Sequence, residues 1–254
     1  CTGSKIGSNL VLTAAHCVTN NSGQINASTV QATWETANGD FTLSSQTINV
    51  HPLWNGDLAD GADIAVIEMI EDIAFFVPTY DLFFDRNEIG QTFTKVGYGR
   101  SGNGIDGAIS ASGTKRQGQN IYDETGQFFE SINVNDEGVL LFDFDDGTNN
   151  TFGNSGIGFQ EINSAPGDSG GPTFINGLIA GVTSFGTTLE SEDIDGTTNS
   201  TFGEISGDAR VSEYRNFIES FDSTPVPFDL NKSLAFLFLG GFLTARQFFK
   251  HWKQ

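Results

Sequence analysis

The chain has 254 residues, enough to bury a sizeable core in one or two domains, and carries 32 Asp+Glu against 12 Lys+Arg for a net charge of −20. A surface this negative repels phosphate backbones, which excludes a nucleic-acid role and leaves the acidity as a solvated exterior. Glycine at 31 residues and few long apolar periodic runs point to an all-β, loop-rich protein. The acidity belongs to residues 1–222; beyond them Asp229 stands against Lys232, Arg246, Lys250 and Lys253, so the tail is a different kind of sequence.

In chain order, the two cysteines come first. Cys1 and Cys17 bracket a short segment; such a pair reads as a disulfide in an exported protein and as two free thiols in a reducing compartment. Asn9–Val18 reads as a strand running into a short helical turn that carries His16. From 27 to 53, β-branched residues and Thr alternate with polar ones in short runs, as in Phe41-Thr42-Leu43 and Thr47-Ile48-Asn49-Val50. His51 precedes a proline at a surface turn and reads as structural. Asp63 opens the apolar run Ile64-Ala65-Val66-Ile67, which suits a buried strand. A carboxylate at the mouth of such a strand is desolvated and needs a donor, and an imidazole N–H is a good one. Phe93–Gly99 reads as the strand that begins a second half, with the boundary near residues 76–92.

Residues 100–160 are glycine-rich and polar. The densest carboxylate clusters, Asp143-Phe144-Asp145-Asp146-Gly147 and Glu192-Asp193-Ile194-Asp195-Gly196, place oxygen ligands at alternate positions before a glycine, as a structural calcium ion would want. Neither completes a twelve-residue calcium loop, so both read as solvated acidic loops, and no metal or cofactor is expected. Pro166-Gly167-Asp168-Ser169-Gly170-Gly171-Pro172 is a tight loop in which glycines allow positive φ and close approach of a ligand to the backbone. A serine held there can present its Oγ to a carbonyl while nearby N–H groups face the oxyanion that forms. Leu178–Gly186 reads as a strand. Arg210–Ile218 places Val211, Tyr214 and Ile218 at helical spacing, which predicts a C-terminal helix.

Three of these stretches, Thr13-Ala14-Ala15-His16-Cys17, Asp63-Ile64-Ala65-Val66-Ile67-Glu68-Met69 and Gly167-Asp168-Ser169-Gly170-Gly171-Pro172, in this order resemble the chymotrypsin/trypsin-like serine peptidases over residues 1–222. The resemblance implies two packed six-stranded antiparallel β-barrels with a C-terminal helix, and a first β-strand and export signal that lie before Cys1. It implies a triad of His16, Asp63 and Ser169, an oxyanion hole from the N–H groups of Gly167 and Ser169, and Ser184 supporting Asp63. Cys1 and Cys17 meet the family's sixteen-residue disulfide spacing, whereas Ala165 stands where many relatives carry a further pocket cysteine. Asp168 is implied to pair with a cleavage-generated N-terminus. The pocket would be formed by Asn163, Ser164, Phe185 and Gly186; a neutral amide at its base disfavours strict Arg/Lys selection, although Glu161 or the acidic stretch Glu190–Asp195 can lend charge. The expected function is an exported, monomeric endopeptidase acting on protein or peptide substrates; the alternative is an inactive peptidase-like surface binding protein.

The tail is read separately. Ser223–Lys232 is a breaker-containing linker with Pro225 and Pro227. Residues 233–254 form an apolar stretch with a basic end that resembles bacterial PEP-CTERM-type sorting segments. The resemblance implies a separate C-terminal helix, handling by sorting machinery or a membrane anchor, and a peptidase held at the cell surface.

Overall fold

In the computed structural model the described residues are 1–221, apart from 37–38, 133–136, 149–150, 154–155, 159 and 190–191. The linker and anchor expectations for residues 223–254 therefore fall outside the described residues, as does Glu190. Among the described residues no helix is long and apolar enough to cross a membrane.

The fold is nearly all-β, as the glycine-rich composition predicted. The first sheet contains β1 (Ser4–Lys5), β2 (Leu10–Thr13), β3 (Gln31–Trp34), β4 (Phe41–Val50) and β5 (Ala65–Met69), in the order β1-β2-β5-β4-β3. The second half contributes β6 (Thr92–Gly97), β7 (Ser101–Asn103), β8 (Gly107–Ser110), β9 (Arg116–Ile121), β10 (Glu124–Thr125), β11 (Val139–Asp143), β12 (Pro172–Ile175), β13 (Leu178–Thr188) and β14 (Glu204–Arg210). Seven of these form one sheet, β10-β11-β14-β13-β12-β6-β9, and β7 pairs with β8. Within the named strands every pairing is antiparallel. Among the described residues the two main sheets hold five and seven strands and form the two antiparallel half-barrels expected. The boundary falls between Met69 and Thr92, where the sequence placed it.

The continuous apolar run after Asp63 becomes β5, buried at Ala65, Val66, Ile67 and Met69. It pairs on both edges, with β2 and β4, and its two faces enter different cores, Val66 in one and Ala65, Ile67 and Met69 in the other, which is why the run lacks the alternation of a half-exposed strand. Between the two halves lies a shared core in which Leu12, Ile64 and Val66 from the first sheet meet Ile179, Val182 and Ala209 from the second. Val211, Tyr214 and Ile218 complete it, buried as their spacing predicted. The helix itself is shorter than expected: α1 covers only Arg215–Glu219. Arg210 still belongs to β14, where its guanidinium grips the Glu88 carboxylate at 3.0 and 2.6 Å, and Ser212 donates to Glu88 at 2.7 Å rather than capping a helix. Burial pushes the Glu88 carboxyl up, but the hydrogen bonds from Arg210 and Ser212 outweigh it and hold the group below its ordinary range.

β14 is among the strands that sequence reading missed. Glu-Ile-Ser-Gly-Asp-Ala-Arg is polar by composition, yet all seven residues are buried. Asp208 takes Lys95 Nζ at 2.6 Å, Thr173 Oγ1 at 2.6 Å and Tyr122 Oη at 2.7 Å. Glu204 accepts the N–H groups of Asn199 and Thr201 at 2.6 and 2.9 Å. Such a strand folds only because distant donors meet each side chain.

The first acidic cluster also departs from its reading as a solvated loop. Asp143 and Asp145 are 2% and 3% exposed, because β11 continues alongside β14 as far as the Asp143–Ile205 pair and carries the following residues under the barrel. Burial, opposed by the N–H groups of Thr151 and Phe152, raises the Asp143 carboxyl. Burial chiefly, with Asp145 and Asp143 adding repulsion, lifts Glu161 to about 7. The second cluster is closer to expectation: Asp195 and Gly196 are exposed, and half-buried Asp193 accepts Thr188 Oγ1 and Thr201 Oγ1.

Candidate active site

His16 and Asp63 are 47 positions apart in sequence, and strand pairing brings them together. His16 sits in the one-turn 3-10 helix Ala15–Cys17 just after β2, and Asp63 just before β5. Since Thr13 of β2 lies opposite Ala65 of β5, the residues beyond those two ends share one edge of the sheet. His16 Nδ1 is 2.6 Å from Asp63 Oδ2, and its backbone N–H donates to Oδ1 at 2.8 Å.

Asp63 is 1% exposed and receives a third donor, Ser184 Oγ, at 2.6 Å from Oδ2. Ser184 stands where the β13–β14 register shifts between Thr183 and Phe185. A bulge there re-aims one side chain, in this case out of the second sheet and toward the carboxylate of the first. Three donors satisfy a carboxylate that would otherwise be costly to bury. With Nδ1–H committed to Asp63, the neutral imidazole carries its lone pair on Nε2. Ala62, immediately before, holds φ = 58°, a left-handed conformation rarely taken by alanine. Its N–H donates to Tyr214 Oη at 2.6 Å, so the residue ahead of α1 fixes the approach to Asp63.

The Ser169 loop is stapled to this pair by the first two residues of the chain. Cys1 and Cys17 form a disulfide, as their spacing implied. Thr2 N–H donates to Ser169 O at 2.7 Å, Thr2 Oγ1 to Gly167 O at 3.2 Å, and Thr13 Oγ1 to Thr2 O at 2.8 Å. The bridged Cys17 Sγ lies 3.7 Å from Ser169 O and 4.0 Å from His16 Nε2, which sets the imidazole's free nitrogen beside the serine loop. Ser169 Oγ makes no hydrogen bond to a described residue. Serine–histidine contacts are often long before substrate binds. The same disulfide consumes the thiolates that a metal ion would need at the Cys1–His16–Cys17 cluster.

Gly167 holds φ = 105°, which a side chain would strain. In the loop, the N–H groups of Asp168, Gly170 and Gly171 donate to Ala165 O, Thr183 O and Asp168 O. Those of Gly167 and Ser169, the two expected to face an oxyanion, donate to no described residue. Asp168 accepts Gly99 N–H at 2.8 Å and Ala165 N–H at 2.9 Å, and among the described residues it has no cationic partner. A Cβ at Gly97 or Gly99 would collide with its carboxylate, so the Gly97-Tyr98-Gly99 stretch is a cradle for Asp168. In sequence that stretch read only as a strand end.

Of the expected pocket residues, Asn163 lines a cavity and Ser164, Phe185 and Gly186 do not. Asn163 Oδ1 accepts the backbone N–H of Ser164 at 2.9 Å, which identifies that atom as the oxygen, and Ser206 Oγ at 2.5 Å. Ser164 Oγ and Ser206 Oγ also share a short hydrogen bond. Asn163 Nδ2 is buried without a partner. Ser206 was not legible in the sequence, since it arrives on β14 from 43 positions away. Asn163, Glu161 and Asp168 line a cavity of about 550 Å³. Phe185 packs over Gly207 beside the Val139–Leu141–Ile205 cluster, and Gly186 is left exposed. His51, read as structural, stacks edge-on against Tyr214 and Phe217, at 4.9 and 5.0 Å between ring centres. Burial, opposed by Glu213, lowers its pKa.

A family model described as Trypsin matches residues 1–218. Two peptidases from two strains of Corynebacterium glutamicum, the one from strain R named "Uncharacterized peptidase", are each 28% identical over 204 residues. The match covers 78% of this chain and 57% of each relative, so the chain spans little more than half the length of these proteins.

Proposed function

This chain belongs to the trypsin family, and on that premise we propose that it is a serine endopeptidase acting on protein or peptide substrates through an acyl-enzyme. The observation that carries the reading is the convergence of His16 Nδ1, His16 N–H and Ser184 Oγ on buried Asp63. That arrangement leaves Nε2 as the only basic atom of the ring. Ser169 Oγ attacks the scissile carbonyl carbon as Nε2 takes its proton, and the oxyanion is received by the N–H groups of Gly167 and Ser169. The imidazolium, stabilised by Asp63, then protonates the departing amine as the C–N bond breaks. Water, deprotonated by the same nitrogen, releases the acyl group. Asp168, cradled by Gly99 and Ala165, shapes the loop that presents both N–H groups; its pairing with a cleavage-generated terminus belongs to this proposal as well. Labelling with a fluorophosphonate, which requires an activated serine, tests the assignment. The adduct is expected on Ser169 alone, and an unlabelled, folded protein would instead favour the inactive binding protein.

The first-site pocket is proposed to take an uncharged side chain. Asn163 places a neutral amide in the pocket lining and no carboxylate that could pair with the charge of an Arg or Lys side chain, which favours an uncharged first-site residue. On a peptide library, kcat/KM for the best uncharged residue is expected to exceed that for Arg by about tenfold or more. A dominant Arg/Lys preference would overturn the pocket reading without touching the triad.

We assign the protein to an oxidising, exported location, with residues 223–254 as its sorting or anchor segment. The Cys1–Cys17 disulfide supports the first part. The sequence of the tail, with Pro225 and Pro227 before the apolar stretch and Arg246, Lys250 and Lys253 at its end, supports the second.

A further inference from the structure

Beside the candidate pocket, whose lining includes Glu161, two carboxylates converge in the interior without a counter-charge. Asp145 and Glu161 are 3% and 6% exposed, and a Cβ at Gly156 would collide with both Asp145 Oδ2 and Glu161 Oε1, so the two oxygens lie close together against that glycine. Asp143, 2% exposed, adds a third negative charge nearby. Among the described residues none of the three has a Lys, Arg or His partner in an ion pair.

Most of the oxygens here are occupied by backbone donors. Asp145 Oδ1 accepts Gly147 N–H at 2.8 Å, Glu161 Oε2 accepts Asp145 N–H at 3.0 Å, and Glu161 Oε1 accepts Ile157 N–H at 2.6 Å. Asp143 Oδ2 holds the N–H groups of Thr151 and Phe152. Asp145 Oδ2 is the exception: it is buried, has no partner, and lies near Glu161 Oε1 beside Gly156. A buried carboxylate oxygen left unpaired against a second carboxylate is expensive twice over, by desolvation and by repulsion.

We propose that Asp145 and Glu161 bind a calcium ion between Asp145 Oδ2 and Glu161 Oε1. All the donors are hard oxygens, which excludes a preference for zinc or copper. The loop is irregular and supplies only two carboxylates; calcium accepts such variable geometry and fills its shell with carbonyls and water, whereas magnesium demands a near-ideal octahedron. The domain's strong net negative charge raises the local cation concentration. Asn120 ties the site to the pocket floor, donating to Asp143 O at 2.7 Å and to Ile162 O at 3.1 Å, next to Asn163. The ion therefore braces the segment on which the pocket is built. The site stands on its own geometry and does not depend on the peptidase reading.

The test uses the full chain, stripped with a chelator and titrated with calcium chloride. The thermal midpoint is expected to rise saturably, by about 5 °C at a hundredfold excess over Kd, with half-effect at about 10⁻⁴–10⁻³ M. Magnesium at the same concentrations is expected to do far less. Asp145→Asn and Glu161→Gln are each expected to abolish the rise. Absence of a calcium effect in the unmodified protein, or a rise that survives both substitutions, would overturn the proposal. Should neither variant fold, the anomalous signal of terbium soaked into crystals of the unmodified protein decides: a peak between Asp145 and Glu161 supports the site, and its absence there sinks it.

Discussion

Ser169→Ala is expected to lower kcat by at least about 10⁴-fold while leaving the fold and KM nearly unchanged. The hydroxyl is the only atom lost. Its Oγ makes no hydrogen bond to a described residue, so removing it orphans nothing in the interior. Everything that shapes the loop is backbone: Thr2 N–H on Ser169 O at 2.7 Å, Gly170 N–H on Thr183 O at 2.8 Å, and the positive φ of Gly167. The N–H groups left for an oxyanion also persist, so a small residual rate above background is expected from them. Steady-state kinetics with a thermal melt of the same preparation checks both halves of the statement. A variant that turns over within tenfold of the unmodified protein would remove Ser169 from the mechanism.

Asp63→Asn is expected to reduce kcat by about 10⁴-fold, for a different reason. The carboxylate takes three donors on two oxygens. An amide has one oxygen, and its NH₂ would face a donor. The backbone N–H of His16 cannot change its role, so the conflict falls on the ring. The imidazole shifts its proton to Nε2, where the lone pair needed for Ser169 is lost. At 1% exposure the mismatch cannot be relieved by water, and a stability loss of about 1–3 kcal/mol accompanies the kinetic one. The discriminating pattern is a fall in kcat with KM preserved and a modest drop in thermal midpoint. A loss confined to KM would mean that Asp63 only shapes the cleft.

The local chemistry of this site is written in short stretches of sequence. A histidine in a turn after an apolar strand, an aspartate at the mouth of another and a serine among glycines are each set by their immediate neighbours, and the resemblance of those stretches to trypsin-like peptidases pointed to His16, Asp63, Ser169 and Ser184 together. The two halves and their boundary are legible for the same reason, since apolar runs and breakers are local signals. What resisted reading is whatever depends on a partner far along the chain. β14 looks like a loop until Lys95, Tyr122 and Thr173 are placed around Asp208, and Lys95 lies 113 positions away. The Asp143–Gly147 cluster looks solvated until β11 is paired with β14.

For the pocket and the oxyanion loop the division is the same. The family resemblance supplied Asn163 as the proposed neutral pocket base, and the sequence placed Asp168 beside Ser169, the proposed nucleophile. Tertiary structure decided which way the Asn163 amide faces, through Ser164 N–H and Ser206 Oγ, and what satisfies Asp168, through Gly99 and Ala165. Residue types and their order follow from covalent neighbours. The orientation of a buried polar group follows from where its donors are, and those donors are assembled only when the sheets pair.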